Sequence, residues 1–282
     1  MIAVVYSGSR HADWKLAEKD RVICNFKTTG INPFFNDEKF IAHLLNKNNQ
    51  LINYAEKIKR IYFFGAGASS EERKKIVSNA FSRFFKHSKI VVDHDMQGAA
   101  LATCQDHKGI VGIIGSGSNA AYFDGKKYRV NNFGLGYVLG DEGSANWLGK
   151  RLLKLYLNET LPLTINEEFK RKYDLDRKQI LDKVYRQTQP ALFLSSFADF
   201  LMENKNDNFV KQLVQNGFNE YIKTYIVPLT KPSDQIPIHI VGTIAFGFQE
   251  WLFEVAEDHQ LKIASVIKEP INNLLNYYLN KN

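Results

Sequence analysis

The sequence predicts an α/β protein built from two lobes. Two observations predict it: β-branched strand segments alternate with amphipathic helical segments, and the whole plan restarts partway along the chain. Each half opens with a strand, a glycine-serine turn and a second strand. The early version is VVYSGSRHADWKL (Val4–Leu16) and the later one is GIIGSGSNAAYFDG (Gly112–Gly125). No low-complexity linker separates the halves, so the lobes are closely joined. The boundary falls near residues 105–108, which leaves a first lobe of 1–106 and a second of 107–282, with room for the last helix to pack back on the first. A chain of 282 residues suits one large or two medium domains.

The elements follow in order. Ile2–Val5 is a short β-branched strand that ends in the turn SGSR, and 13–20 and 21–27 extend it as a hairpin layer. Residues 38–57 carry Ile41, Leu44, Leu45, Leu51, Ile52 and Ala55 at helical spacing. A buried-strand run at 60–64 closes on Gly65-Ala66-Gly67. Ser69-Ser70-Glu71-Glu72 then starts a helix with acids in its first turn. Strand 90–92 follows, and Asp95 opens the helix 96–104. The second half begins with the strand 109–114, the turn GSGSN, and a hairpin of 120–123 with 128–130 across Asp124-Gly125. Helical pattern covers 145–158 and most of 166–227. A strand at 238–241 ends in Gly242-Thr243, and a helix spans 245–257. Pro270 starts the last helix, which presents Ile271, Leu274, Leu275 and Tyr278.

Composition excludes several classes. Hydrophobic residues make up 44% and charged residues 24%, the balance of a globular chain long enough to bury its own core. Cys24 and Cys104 lie far apart with no CxxC spacing, which argues against a disulfide framework or a structural zinc and fits a cytoplasmic protein. The start, MIAVVYSGSR, lacks the basic opening of a signal peptide, and no run approaches the roughly 18 apolar residues of a membrane span. The net charge of +7 is spread among acids, as in EEFKRKYDLDRKQ (Glu167–Gln179), rather than gathered into a stripe. The sequence therefore predicts neither a nucleic-acid nor a membrane partner, and the charge suits a phosphorylated small molecule.

Four segments have the makings of a site. Gly115-Ser116-Gly117-Ser118-Asn119 follows a buried strand and offers backbone N–H groups to an anion, although an ordinary hairpin turn uses the same residue types. It is neither a Walker A loop nor a Rossmann fingerprint. Asp95, directly after a strand, is placed to take a proton from a hydroxyl or to cap its helix; Asp93 is its rival. In GLGYVLGDEGSANWLGK (Gly134–Lys150), Asp141 and Glu142 sit among glycines, where carboxylates accept from sugar hydroxyls or complement a helix dipole. Gly242-Thr243 lies where a nucleoside could rest on backbone. The seven histidines form no HxxxH or HxH pair, so no protein-built metal site is expected.

Taken in order, SGS…DW (Ser7–Trp14), TGINPF (Thr29–Phe34), YFFGAG (Tyr62–Gly67), DMQGAALA (Asp95–Ala102), GIIGSGSNAAYFDG, GLGYVLGDEGSANWLGKRLL (Gly134–Leu153) and VGTIAFGFQEWL (Val241–Leu252) resemble the BadF/BadG/BcrA/BcrD ATPase family. Within it they are most similar to the N-acetylglucosamine kinase branch, over nearly the whole chain. The resemblance implies two ribonuclease-H-like lobes of actin-like ATPase type with ATP and sugar in a central cleft. It implies Asp95 as general base, with Ser9, Arg10, Gly115, Ser116, Gly117, Gly242 and Thr243 on ATP. Asn32, Gly67, Ser118, Asn119, Gly136 and Asp141 would line the sugar site. Implied cofactors are ATP and Mg²⁺; a homodimer stays open. The first turn departs from the family pattern: Tyr6 replaces an acid that helps hold Mg²⁺, and Arg10-His11 replaces Thr-Lys. A sugar or nucleotide sensor without catalysis is the competing expectation. The related activators of radical dehydratases need cluster-ligating cysteines, which Cys24 and Cys104 do not match.

Overall fold

The computed structural model describes residues 1–19, 21–230 and 235–281; Asp20, the end of the expected hairpin segment, lies outside them. The chain divides into two compact units. One comprises Met1–His107, Phe123–Tyr128 and Glu269–Asn282, the other Lys108–Tyr122 and Arg129–Lys268. No helix among the described residues is long and apolar enough to cross a membrane.

In the first unit, strands β1 (Ile2–Ser7), β2 (His11–Glu18) and β3 (Arg21–Thr29) form an antiparallel meander. Helices α1 (Glu38–Asn46) and α2 (Asn49–Tyr54) lead to β4 (Arg60–Gly65), and α3 (Glu71–Phe84) leads to β5 (Lys89–His94). The sheet order is β3-β2-β1-β4-β5, with β1, β4 and β5 parallel. Its core holds Trp14, stacked at 5.7 Å on both Phe26 and Phe81. The expected single helix over 38–57 is two. Asn48 is extended and its Oδ1 accepts the Leu51 N–H, because a short amide side chain competes with helical bonding and caps a new start. Helix α4 (Asp95–Cys104) then covers the sheet.

The second unit carries β6 (Gly109–Ile114) and β7 (Ser118–Phe123), so the expected five-residue loop narrows to three residues, Gly115–Gly117. The predicted partner strand 128–130 reduces to one bridge, Phe123 to Tyr128. The Tyr128 N–H donates instead to Oε1 of Gln97 on α4, which draws it out of a ladder. Short α5 (Gly136–Leu139) precedes α6 (Ala145–Leu157). Helical pattern over 166–227 resolves into α7 (Leu163–Tyr173), α8 (Arg177–Tyr185), α9 (Pro190–Ser195), α10 (Ala198–Glu203) and α11 (Asn208–Tyr221), the last continuing as a π-helix over Ile222–Ile226. The interruptions have local causes: Asp174 is left-handed after α7, Asp176 and Gln179 form a capping box, and Asp207 caps α11.

Strand β8 (Ile238–Val241) lies parallel to β6. The predicted helix 245–257 breaks at Phe248 into α12 (Thr243–Gly247) and α13 (Gln249–Asp258). An unpredicted strand, β9 (Ile263–Ile267), joins β8 in parallel and completes the order β7-β6-β8-β9. Helix α14 (Ile271–Leu279) belongs to the first unit, where Tyr278 stacks on Tyr62 at 3.7 Å.

Candidate active site

Register places the first unit's site residues. Ser7, Gly65 and His94 stand in one row across β1, β4 and β5, so the segments that follow them share the carboxyl edge of a parallel sheet. Ligands of open α/β sheets bind along this edge, where helix starts and turns leave backbone exposed. The Ser7 hydroxyl ties the edge down: it accepts the Ile31 N–H at 2.8 Å and donates to the Ile31 carbonyl at 3.0 Å. The first turn is a tight hairpin over Gly8–Arg10, closed by Gly8 N–H to the His11 carbonyl and braced by Gly30 N–H to the Arg10 carbonyl. Ser9 is exposed at its tip. Asn32 and Gly67 are neighbours, since a Cβ on Gly67 would lie 2.0 Å from Asn32 Oδ1.

Asp95 is the first helical residue of α4 and not its cap; His94 occupies the N-cap and makes no capping bond. Oδ1 of Asp95 accepts the Met96 N–H at 2.8 Å and lies 3.2 Å from His94 Nε2, while no donor among the described residues sits on Oδ2. Asp93, the rival, is committed elsewhere: its carboxylate pairs with Lys74 at 3.0 Å and accepts the His94 N–H. Partly buried Tyr6 lies close enough to feel Asp95, and burial together with that charge pushes its phenol well above the usual tyrosine range. Tyr6 is therefore a neutral phenol.

That state decides the fit of a divalent cation to this turn. A protonated phenol is a poor Mg²⁺ ligand, and the Ser7 hydroxyl is already bonded. Asp13 is occupied as well. His11, Asp13 and Glu269 bring ligand atoms within 4.8 Å of one another. Lys27 Nζ, however, lies 3.0 Å from Asp13, 3.0 Å from Glu269 and 3.4 Å from His11 Nε2. The cluster is closed by its own ammonium. Burial alone would raise Asp13, but hydrogen bonds from His11 and Lys27 outweigh it and hold the carboxyl below its usual value. The first turn does not fit a protein-held Mg²⁺.

In the second unit, parallel pairing of β6 with β8 sets the Gly115–Gly117 turn beside Gly242-Thr243. The approach is close: Gly242 adopts φ +134, and a Cβ there would stand 2.2 Å from the Ile114 carbonyl oxygen. Carbonyls of Gly115 and Ser116 accept the N–H groups of Ala145 and Asn146 at the start of α6. The N–H groups of Ser116 and Gly117 meet no acceptor among the described residues. These are the donors a phosphate would use.

Asp141 is a buttress for this turn. Its Oδ1 accepts the Ser118 N–H at 3.1 Å, its Oδ2 accepts Nδ2 of Asn146 at 2.9 Å, and burial raises its carboxyl despite both bonds. Tyr225, from the π-helix, accepts the Asp141 N–H and donates to Glu142 Oε2 at 2.6 Å; Tyr221 donates to the Asn119 carbonyl. Asn119 also meets Gly134, and Gly136 opens α5 at φ +77. Sequence patterns missed Tyr221, Tyr225, Asn146 and His94. Only the histidine had a local signal, a non-capping residue at a helix start.

The comparisons bear on both units. A candidate N-acetylglucosamine kinase from Porphyromonas gingivalis is 34% identical over 99% of each chain, with a TM-score of 0.94. Another candidate N-acetylglucosamine kinase, from Chromobacterium violaceum, superposes at 0.70 with 15% identity over 98% of this chain and 99% of its own. A ROK-family glucokinase from Streptomyces griseus, solved with glucose and AMPPNP, superposes at 0.51 with 12% identity over 97% and 98%. No protein-family profile and no curated protein matches the chain. The two-sheet α/β architecture is the actin-like fold of sugar kinases.

Proposed function

Because the chain belongs to the family of the candidate N-acetylglucosamine kinase from Porphyromonas gingivalis, we propose that it transfers the γ-phosphoryl group of ATP to a hydroxyl of N-acetylglucosamine or a related amino sugar. The motifs at Gly112–Gly125 and Gly134–Leu153 support a place in the BadF/BadG-type branch. A cytoplasmic setting, with ATP and a small sugar as partners, goes with this function.

The observation that carries it is Asp95. One carboxylate oxygen accepts the Met96 N–H and faces His94 Nε2, and the other is open, at the carboxyl edge of the parallel strands. Such a group accepts the sugar hydroxyl proton as the hydroxyl oxygen attacks the γ-phosphorus and ADP departs. Phosphoryl transfer asks little more of a protein than positioning and charge neutralisation. Ser116 and Gly117 N–H groups receive phosphate oxygens; Ser9 and Arg10 are the nucleotide contacts assigned to the first turn. Gly115, Gly242 and Thr243 form the backbone floor for the nucleotide. Asn32, Gly67, Ser118, Asn119 and Gly136 serve the sugar, and Asp141 acts through Ser118. No step is assigned to a metal held by the first turn.

Radiolabelled transfer from ATP to a panel of amino sugars tests this. The expected result is transfer to N-acetylglucosamine, reduced roughly 10²- to 10⁴-fold in Asp95→Asn. No transfer to any amino sugar would overturn it. The protonated Tyr6 supports a second function, a sugar sensor without turnover; calorimetric sugar binding by a protein with no transfer would favour it.

A further inference from the structure

We propose that His94 is a positioning residue for Asp95: its Nε2–H pins Oδ1, so that Oδ2 is the oxygen that takes the substrate proton. This rests on Asp95 acting as the base.

The sequence places a histidine where a helix asks for something else. N-caps favour Ser, Thr, Asp or Asn, whose oxygens accept from the first helical N–H groups. His94 makes no such bond, so α4 forgoes that stabilisation. Its imidazole turns to the neighbouring carboxylate, with Nε2 3.2 Å from Asp95 Oδ1 and the two side chains only 13% and 17% exposed.

The tautomer follows from the other nitrogen. Nδ1 is buried and has no hydrogen-bond partner among the described residues. A proton on Nδ1 would bury an unmatched donor and aim the Nε2 lone pair at a carboxylate oxygen. A proton on Nε2 does neither; it donates to Oδ1 and leaves Nδ1 as the bare acceptor. Oδ1 then receives two donors, Nε2–H and the Met96 N–H, and the carboxylate plane is set.

Around the imidazole lie Asp95, Asp93 on the same strand paired to Lys74, the Tyr128 ring at 5.7 Å, and Tyr6 on β1 beside Asp95.

Two variants and one spectrum test this, alongside Asp95→Asn. His94→Ala is expected to lower kcat on the order of tenfold to a hundredfold, with KM for the sugar within about twofold. His94→Gln, whose amide can donate to the same oxygen, should recover most of that rate. Long-range proton–nitrogen NMR of the wild-type protein should show Nε2–H with unprotonated Nδ1. Wild-type kcat in His94→Ala, or an Nδ1–H tautomer, would overturn the proposal. If those appear while Asp95→Asn is inactive, only the role of His94 falls. Full turnover in Asp95→Asn removes the base itself and His94's role with it.

Discussion

Two aspartates are pushed in opposite directions by their surroundings. Asp13 is held below its usual 3.8 by His11 and Lys27, whereas burial raises Asp141 above it. A lowered carboxyl adds stability above its unfolded value and loses that stability as pH falls through the folded one. A raised carboxyl works in reverse: its contribution is present below the unfolded value and lost as pH rises through the folded one. Asp13→Asn should therefore cost roughly 1 kcal/mol at pH 7, because its partner Lys27 is well exposed. In thermal melts from pH 7 to 3, the gap to wild type should close below the usual 3.8. The two oxygens of Asp141 hold Ser118 and Asn146. The GDEGS segment was legible as important, but whether its acid faces a ligand or its own turn was not.

Among the elements, α4 sets the position of Asp95. It packs on β4 through Gly98, where a Cβ would stand 2.7 Å from both Cβ and Cγ of Phe64. Gly98→Ala should cost about 1–3 kcal/mol in urea denaturation, since a packed sheet cannot give way by a methyl group without strain. The run DMQGAALA was legible as a helix from composition. The lengths of other helices were not, because hydrophobic spacing continues smoothly through the breaks at Asn48 and Phe248. Strand β9 escaped notice for a related reason. Its five residues alternate too briefly to stand out, and their pairing with β8 decides them.

Across the whole molecule, the chain returns to its first unit at the end. Helix α14 buries Ile271, Leu274 and Leu275 and stacks Tyr278 on Tyr62. Deleting residues 269–282 should lower the stability of the first unit by several kcal/mol, on the order of the loss of two or more buried aliphatic side chains. Fluorescence of Trp14, in a Trp147→Phe, Trp251→Phe background, reads that unit's urea transition. An unchanged midpoint would mean that the helix contributes nothing there.

The sequence by itself determined the α/β class, the twice-used strand-turn-strand plan, and which glycines, serines and acids stand at the turns. These follow from short-range periodicity and turn chemistry, which a linear pattern carries. Tertiary structure alone decided how the turns are held and which groups face one another. Tyr225 reaches Asp141 across 84 residues and Tyr221 reaches Asn119 across 102, contacts that no local spacing encodes. The same holds for the first turn. Tyr6 was plain in the letters, but its neutral state beside Asp95 arises from burial and charge in the folded chain.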